Sequence, residues 1–275
     1  MPELPEVETI RRQLERFIKG RKIKKVEVAA PRILPHISPA DFKNRLKGAV
    51  FTSFSRHGKF LLCHMNRREL AMLIHFRMTG SLLYGTPSAL IKAHTRISFW
   101  LDNDKLLCYN DMRKLGKIEL IKGELVDNFH ELKSLGPDPL APDFSPQLLY
   151  SILQESRRQI KELLLDQHKI AGLGNIYAAE ALFDCGIHPQ RKAHTLSPEE
   201  VGRLHRSILK ILHLAIESRG CSIANYVDLA GESGAFQELR NVYQREGEPC
   251  YRCGEPICRL KQQQRSTYLC PRCQQ

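Results

Sequence analysis

The sequence predicts an α+β protein built as a β domain, a helical domain and a metal-stapled tail, and three observations carry that expectation. From about residue 22 to 121, apolar residues alternate in period two within short runs closed by Gly, Asn, Asp or Pro, the pattern of an antiparallel sandwich or barrel with one buried face per strand. Beyond a proline-rich stretch at 136–146 the apolar period turns helical. Five of the nine cysteines fall in the last 26 residues.

In chain order, Val7, Ile10, Leu14, Phe17 and Ile18 recur at helical spacing, so residues 5–19 are read as an amphipathic helix. Pro5 fits its first turn, and Glu6 and Glu8 suit the positive end of its dipole. The β runs are KIKKVEVAA, AVFTSFSRHGKFLLCHM, RISFWL, KLLCYN and GKIELI. GPDPLAPDFSP at 136–146 contains four prolines and is read as an interdomain linker. Leu149, Ile152, Leu153, Ile160, Leu163 and Leu164 then share an apolar helical face. NIYAAEALFDCG and SPEEVGRLHRSILKILHLAIES, the latter with Ser197 as N-cap, complete the helices. GESGAFQ is expected to be a flexible loop.

In the tail, Cys250 and Cys253 form one C-x2-C and Cys270 and Cys273 another, with 16 residues between the pairs. Each pair turns tightly enough to aim two sulfurs at one ion, and the interval suits a hairpin, which is the spacing of a four-thiolate zinc site. Four thiolates close the coordination shell, so one Zn2+ is expected in a structural role. Cys258 is either a hairpin thiol or an exchanged ligand. The remaining cysteines, Cys63, Cys108, Cys185 and Cys221, are scattered in apolar or mixed settings and read as reduced, buried thiols.

Lys and Arg number 42 against 30 Asp and Glu, a net charge of +12 with a pI near 9.3. Mean hydropathy is −0.34, and no apolar run approaches the roughly 20 residues that span a bilayer. The opening MPELPEVET is acidic where a signal peptide would be basic and then apolar, so a cytoplasmic protein without a membrane partner is expected. Excess positive charge on such a protein points to a polyanion, with nucleic acid foremost. Arg11 to Lys25 holds eight basic residues and one acid, and Arg259, Lys261 and Arg265 lie between the cysteine pairs. Guanidiniums on a rigid hairpin suit phosphate oxygens. AGLGNIYAAE puts glycines directly before a helix, so it reads either as a phosphate seat or as a tight inter-helix turn.

Taken together, MPELPEVET, RHGKFLL, HFRMTGSL, YNDMRKLG, KIAGLGNIYAAEALFDCGIHP and the hairpin ending QRSTYLCPRC resemble the formamidopyrimidine-DNA glycosylase family from end to end. The resemblance implies an N-terminal antiparallel β-sandwich opened by a helix, a helix-two-turn-helix domain and a zinc-finger hairpin, with double-stranded DNA in the cleft between the domains. The corresponding boundaries are 1–135 for the catalytic domain, 136–146 for the linker, 147–234 for the helical domain and 235–275 for the zinc finger. It further implies a monomeric, bifunctional glycosylase and abasic-site lyase of base-excision repair, acting on oxidised purines and cleaving by β,δ-elimination.

Residue by residue, loss of Met1 would free the secondary amine of Pro2, able to attack the sugar C1′ and form an iminium. An α-amine ionises at about 7.7–8.0 in reference peptides, which leaves a useful neutral fraction. Glu3 resembles the family's acid/base group and Glu6 its carboxylate partner, with helix capping as the structural reading of Glu6. Lys59 resembles the lysine of β-elimination, its bland alternative being a hairpin lysine in water. Arg265 resembles the finger arginine assigned to δ-elimination. His75, His94, Arg158 and Asn175 match DNA-contacting positions. Base extrusion leaves a vacancy in the duplex, and Met78, Arg113 and Leu115 match the wedge that fills it.

Several positions depart from the family's usual pattern. Met112 stands where Pro is general, Leu115 where Phe is general, Arg77 where a small residue is usual, and Ala224 at an often basic position. The cleavage apparatus is retained while the lesion-sensing elements differ, so an altered lesion range, favouring ring-opened purines, is one expectation. The alternatives are a paralogue that binds damaged or abasic DNA with weak base excision, and a zinc-ribbon module of translation or transcription. The latter leaves Pro2, Glu3, Glu6 and Lys59 unexplained together.

Overall fold

Helix α1 (Leu4–Phe17) opens the chain in the computed structural model, which describes residues 1–67, 70–90, 93–122, 129–223 and 225–275. Its start follows from local chemistry. Pro5 occupies the first turn, and Glu3 is the N-cap in a reciprocal capping box with Glu6. Leu4, Val7, Ile10 and Leu14 form the buried face, which packs on the second and third strands.

The strands of the first region are β1 (Ile23–Val28), β2 (Phe51–His57), β3 (Phe60–Met65), β4 (Ala71–His75), β5 (Gly80–Gly85), β6 (Thr95–Leu101), β7 (Leu106–Asp111) and β8 (Lys117–Ile121). They pair antiparallel in two four-stranded sheets, ordered β1-β6-β7-β5 and β2-β3-β4-β8. Val26, Leu82, Phe99 and Leu107 from one sheet and Phe51, Leu61, Met72 and Ile74 from the other share a single core. At roughly 1.5–3 kcal/mol per buried large apolar side chain, this shared core is the main source of the domain's cohesion. The longest helix inside this β-rich region, among the described residues, is α2 (Pro39–Leu46), whose cap Ser38 accepts a hydrogen bond from Asp41 N. Its Ser-Pro-Ala-Asp start is a helix-initiation signal. Two single-turn helices, α3 (Pro87–Leu90) and α4 (His130–Lys133), complete the region.

The second region holds α5 (Pro146–Gln154), α6 (Ile160–Leu164), α7 (Asn175–Cys185) and α8 (Pro198–Glu217), then a hairpin of β9 (Cys258–Gln262) and β10 (Arg265–Leu269). Where the sequence showed one continuous apolar face from 149 to 164, the backbone breaks between α5 and α6, and a bridge of Gln159 to Lys192 starts the second helix. Gly186, in the left-handed conformation (φ 76°), ends α7. Glu180 of α7 is fully buried and accepts the backbone N–H groups of Asn241, Val242 and Tyr243, at 2.8–3.0 Å, fixing the approach to the hairpin. Among the described residues, no helix is long and apolar enough to cross a membrane.

The compact units are residues 1–133 with 218–235, and residues 134–217 with 236–275. Residues 218–234, placed with the helical domain on sequence grounds, and residue 235, placed with the zinc finger, fall in the first of these units. Cys221 N donates to Glu6 Oε1 (2.8 Å), Gln13 clasps Asp228 and Leu229 N, and Tyr84 N donates to Leu229 O. Tyr226 and Leu229 join the sandwich core. The stretch expected to be a flexible loop is instead hydrogen-bonded, through Gly234 N to Ser222 Oγ and Ala235 N to Ser218 O.

Gly220 is where this return segment meets α1. Its φ is +86°, and a Cβ there would stand 2.9 Å from both Glu6 Oε1 and Tyr226 Cε1. Gly220→Ala is expected to destabilise the protein by about 1–3 kcal/mol, read as a lowered urea midpoint at unchanged slope. An unchanged midpoint would refute the close packing.

Candidate active site and nucleic-acid interface

The N-terminus concentrates acid groups in a dry place. Pro2 is buried, Glu3 and Glu6 are 4% and 2% exposed, and Met1 is 47% exposed. Glu3 N donates to Glu6 Oε2 (2.7 Å), while Glu6 Oε1 takes the N–H of Cys221. Glu6 therefore caps the helix, as its structural reading expected, and in addition ties the backbone of Glu3 to the 218–235 segment. The result is a buried turn in which Glu6 fixes the backbone of Glu3, the residue that follows Pro2.

A second tie runs from α1 to the turn carrying Lys59. Glu8 is 7% exposed and accepts from Arg11, Arg12 and Arg56 at 2.8–3.3 Å. Burial acts to raise its carboxyl pKa, but these guanidiniums outweigh it and hold the group down at about 2. Arg56 in turn donates to the carbonyl of Gly58 (2.9 Å) at the β2–β3 turn. Lys59 follows and is 7% exposed, so it is not a hairpin lysine in water. Sequence reasoning gave Glu8 only a helix-dipole role, although its i,i+3 and i,i+4 arginines were a visible signal of more.

His75 ends β4, opposite Phe60 and Lys117 in neighbouring strands, with its ring edge-on to Phe60 at 4.5 Å. Its Nδ1 accepts Arg77 N (3.1 Å), which leaves Nε2 as the N–H donor. Burial pushes the imidazole pKa down to about 3, helped by the positive charges of Arg77, Lys59 and Lys117. His75 thus stays neutral, and because the unfolded chain binds a proton below about 6.5 and the folded one does not, this site costs stability as pH falls from there towards 3. Its ring protons are expected to show no NMR titration between about pH 5 and 8, the range of an ordinary histidine; a midpoint inside that range would overturn the assignment.

The wedge candidates occupy two adjoining loops. Met78 (46% exposed) follows β4, and Arg113 and Leu115 (40%) follow β7, next to Met112 (52%). Asp111, inside YNDMRKLG and without a role on sequence grounds, bonds to both loops. Asp111 N also donates to the carbonyl of His94, which is exposed at the entry to β6. Ala224 lies outside the described residues.

In the second unit, Asn175 opens α7 and its Nδ2 donates to Ser266 O (2.9 Å), placing it beside Arg265 at the start of β10. Lys161 is 1% exposed and donates to Thr267 Oγ1 (2.7 Å) and Ser266 O (3.2 Å). The glycines before α7 are buried, so the α7 N-terminus is a packed turn that also presents Asn175. Gln263 and Gln264 take positive φ (44° and 63°) in the two-residue hairpin turn, and Arg265 leaves it exposed. Arg158 is half-buried and paired with Asp166 at 2.9 Å. The basic run at 11–25 is largely spent locally: Arg11 and Arg12 pair with Glu8, Lys19 with Glu15, Arg21 with Asp102, Lys24 with Asp104 and Lys25 with Glu27. It is a solvated, self-neutralised face.

The sulfurs of Cys250, Cys253, Cys270 and Cys273 lie within 4.8 Å of one another, with Cys250–Cys273 at 3.9 Å and Cys253–Cys270 at 3.4 Å. A tetrahedral Zn–S distance of about 2.3 Å gives sulfur–sulfur edges near 3.8 Å, so the donors fit one zinc and exclude bonded disulfides. Arg252 N and Cys273 N each donate to a ligand sulfur at 3.4 Å. Cys258 points away, exposed, towards Pro256 O, and is a hairpin thiol.

Comparison with known proteins agrees with this geometry. The family model for the formamidopyrimidine-DNA glycosylase N-terminal domain matches residues 1–118, that for its H2TH domain residues 135–226, and that for a zinc finger found in FPG and IleRS residues 247–275. A formamidopyrimidine-DNA glycosylase of Desulforamulus reducens is 42% identical over 275 residues, covering 100% of this chain and 99% of the relative. One from Symbiobacterium thermophilum is 44% identical, covering 100% and 89%. Among solved structures, a Lactococcus lactis FPG mutant with Fapy-dG containing DNA superposes with a TM-score of 0.92 at 38% identity, covering 100% of each chain. MutM with carbocyclic 8-oxo-G containing DNA gives 0.91 at 38%, again covering 100% of each chain.

Proposed function

The chain belongs to the formamidopyrimidine-DNA glycosylase family, and from that premise we propose that Pro2, Glu3, Lys59 and Arg265 carry a base-excision and strand-cleavage reaction on oxidised purines in double-stranded DNA. The observation that supports it most directly is the buried N-terminal turn, where Glu6 fixes the backbone of Glu3, the residue that follows Pro2.

After Met1 is removed, the Pro2 amine attacks C1′ as the bond to the damaged base breaks, and Glu3 moves the protons that open the sugar and form the iminium. Loss of a C2′ proton then expels the 3′ phosphate, with Lys59 close to the developing charge. Loss of the C4′ proton then drives a second elimination that expels the 5′ phosphate, with Arg265 gripping it, and hydrolysis of the imine restores the amine. His75, as a neutral N–H donor, and Asn175 hold flanking phosphates, with His94 and Arg158 as outer contacts. Met78, Arg113 and Leu115 enter the duplex where the base leaves. The zinc holds the hairpin that carries Arg265 and takes no part in bond making, since four thiolates leave it no open position. The protein works as a monomer, and we place it in the bacterial cytoplasm at the nucleoid, as its bacterial relatives and reduced cysteines suggest.

The test is incubation with duplexes carrying a formamidopyrimidine, an 8-oxoguanine or an abasic site, resolving both ends of the gap. Phosphates at both ends are expected, with ring-opened purine released at least as fast as 8-oxoguanine. A protein that binds all three duplexes in a salt-sensitive way but cuts none would be the binding-only paralogue instead.

A further inference from the structure

We propose that Asp111 is a positioning residue whose buried carboxylate locks the loop after β4 to the loop after β7, so that Met78, Arg113 and Leu115 are presented as one rigid wedge. The proposal rests on the reading of those three side chains as the part of the protein that enters the duplex.

Asp111 is the last residue of β7 and is fully buried. Its Oδ1 accepts the Thr79 hydroxyl (2.5 Å) and Arg113 N–H (3.1 Å), while Oδ2 accepts Gly116 N–H (2.8 Å). Arg113 N also donates to Thr79 Oγ1 (3.1 Å), so one carboxylate and one hydroxyl close a ring across two loops. The strand register assists, since Asp111 pairs with Gly80. Bonds to the Asp111 main chain extend the hub to a third segment: Asp111 N donates to His94 O, and the Arg96 side chain donates through Nε to Asp111 O (2.8 Å).

Two further observations show that these loops are held rather than merely connected. A Cβ at either Gly80 or Gly116 would strike the Tyr109 hydroxyl, so both loops close onto the same buried ring. Arg77 and Lys114, the residues immediately before Met78 and Leu115, both take the left-handed conformation, with φ of 53° and 55°. Non-glycine residues persist there when surrounding structure over-determines them. The consequence is that Met78 and Leu115 stay 46% and 40% exposed, kept in water by a backbone that does not let them fold back. A wedge must spend its binding energy on the duplex rather than on ordering itself, and this network does the ordering in advance.

Asp111→Asn keeps the shape but turns one acceptor into a donor, which must then face the N–H of either Gly116 or Arg113. Extruding an intact base needs the wedge in place, whereas a preformed abasic site has no base to extrude. The ratio of intact-lesion excision to abasic-strand cleavage is therefore expected to fall about 10²-fold, the scale of a 1 Å misplacement at a reacting centre. A 2-aminopurine placed beside the lesion should lose its unstacking signal in parallel. Thr79→Val, which removes only the hydroxyl, should move the ratio in the same direction by less and serves if Asp111→Asn fails to fold. A wild-type ratio in the folded variant, or equal loss of both activities, would overturn the proposal. A wild-type protein that cleaves neither duplex would instead overturn the enzymatic reading itself.

Discussion

Borohydride added to the protein on an abasic duplex is expected to trap a covalent adduct whose tryptic map ends at Pro2, and protein that retains Met1 is expected to give none. The reason is electronic. With Met1 attached, the Pro2 nitrogen is an amide and its lone pair is delocalised into the carbonyl. Without Met1 it is a secondary amine that condenses with the opened sugar to a C=N bond, which borohydride reduces. The exposure of Met1 against the burial of Pro2 suits removal of the first residue without disturbance of the second. Intact mass should show the Met1-free form as the one that cross-links. Glu3→Gln, which keeps the turn but removes the proton acceptor, should lower base excision by about 10²- to 10⁴-fold. An adduct at full yield from the Met1-retaining form would place the nucleophile elsewhere, with Lys59 the next to test.

Removal of zinc should have the second largest effect. The cluster under the hairpin is small among the described residues, with Val242, Ile257 and Tyr268 around the cysteines, Tyr243 packed against them, and Ala179 and Phe183 from α7. Little apolar area remains to hold β9 and β10 once the ion is gone, and structural zinc contributes roughly 10–16 kcal/mol in isolated fingers. Chelation, or Cys273→Ser, is expected to unfold the hairpin and to release Arg265 and the Ser266 carbonyl that anchors Asn175. Binding to lesion DNA should fall by at least about 10²-fold, with a salt slope shallower by roughly one unit for each phosphate that the hairpin no longer grips. Far-UV circular dichroism should show the sandwich intact. Elemental analysis should give one zinc per chain, and undiminished DNA binding by the metal-free protein would defeat the assignment.

Periodicity made most elements readable. Alternation marked the strands around Phe51–Met65 and Ile97–Tyr109, and the 3.6-residue repeat marked α1 and α8. It could not show the break between α5 and α6, because an apolar face continues in sequence across a turn that only packing reveals. It did not reveal α2, a short helix whose Ser38 cap and Pro39 start lie within a stretch otherwise of β pattern. The candidate site divides in the same way. The cysteine spacing fixed the metal ligands without help, since two C-x2-C pairs have few other uses. The catalytic candidates were legible through resemblance, and the parts that hold them were not: Glu8 through Arg56 to the Lys59 turn, Glu6 to Cys221, and Asp111 between two loops.

The sequence alone determined that this is an α+β, zinc-bearing, polyanion-seeking protein, because strand period, cysteine spacing and net charge are properties of local pattern and composition. Tertiary structure decided which charges are available. Six of the eight basic residues at 11–25 are answered by nearby carboxylates, some from segments about 80 residues away. It also decided that 218–235 belongs with the N-terminal helix and that His75 is neutral. Pairing and burial depend on residues distant in sequence, and a count of charges carries no information about what faces them.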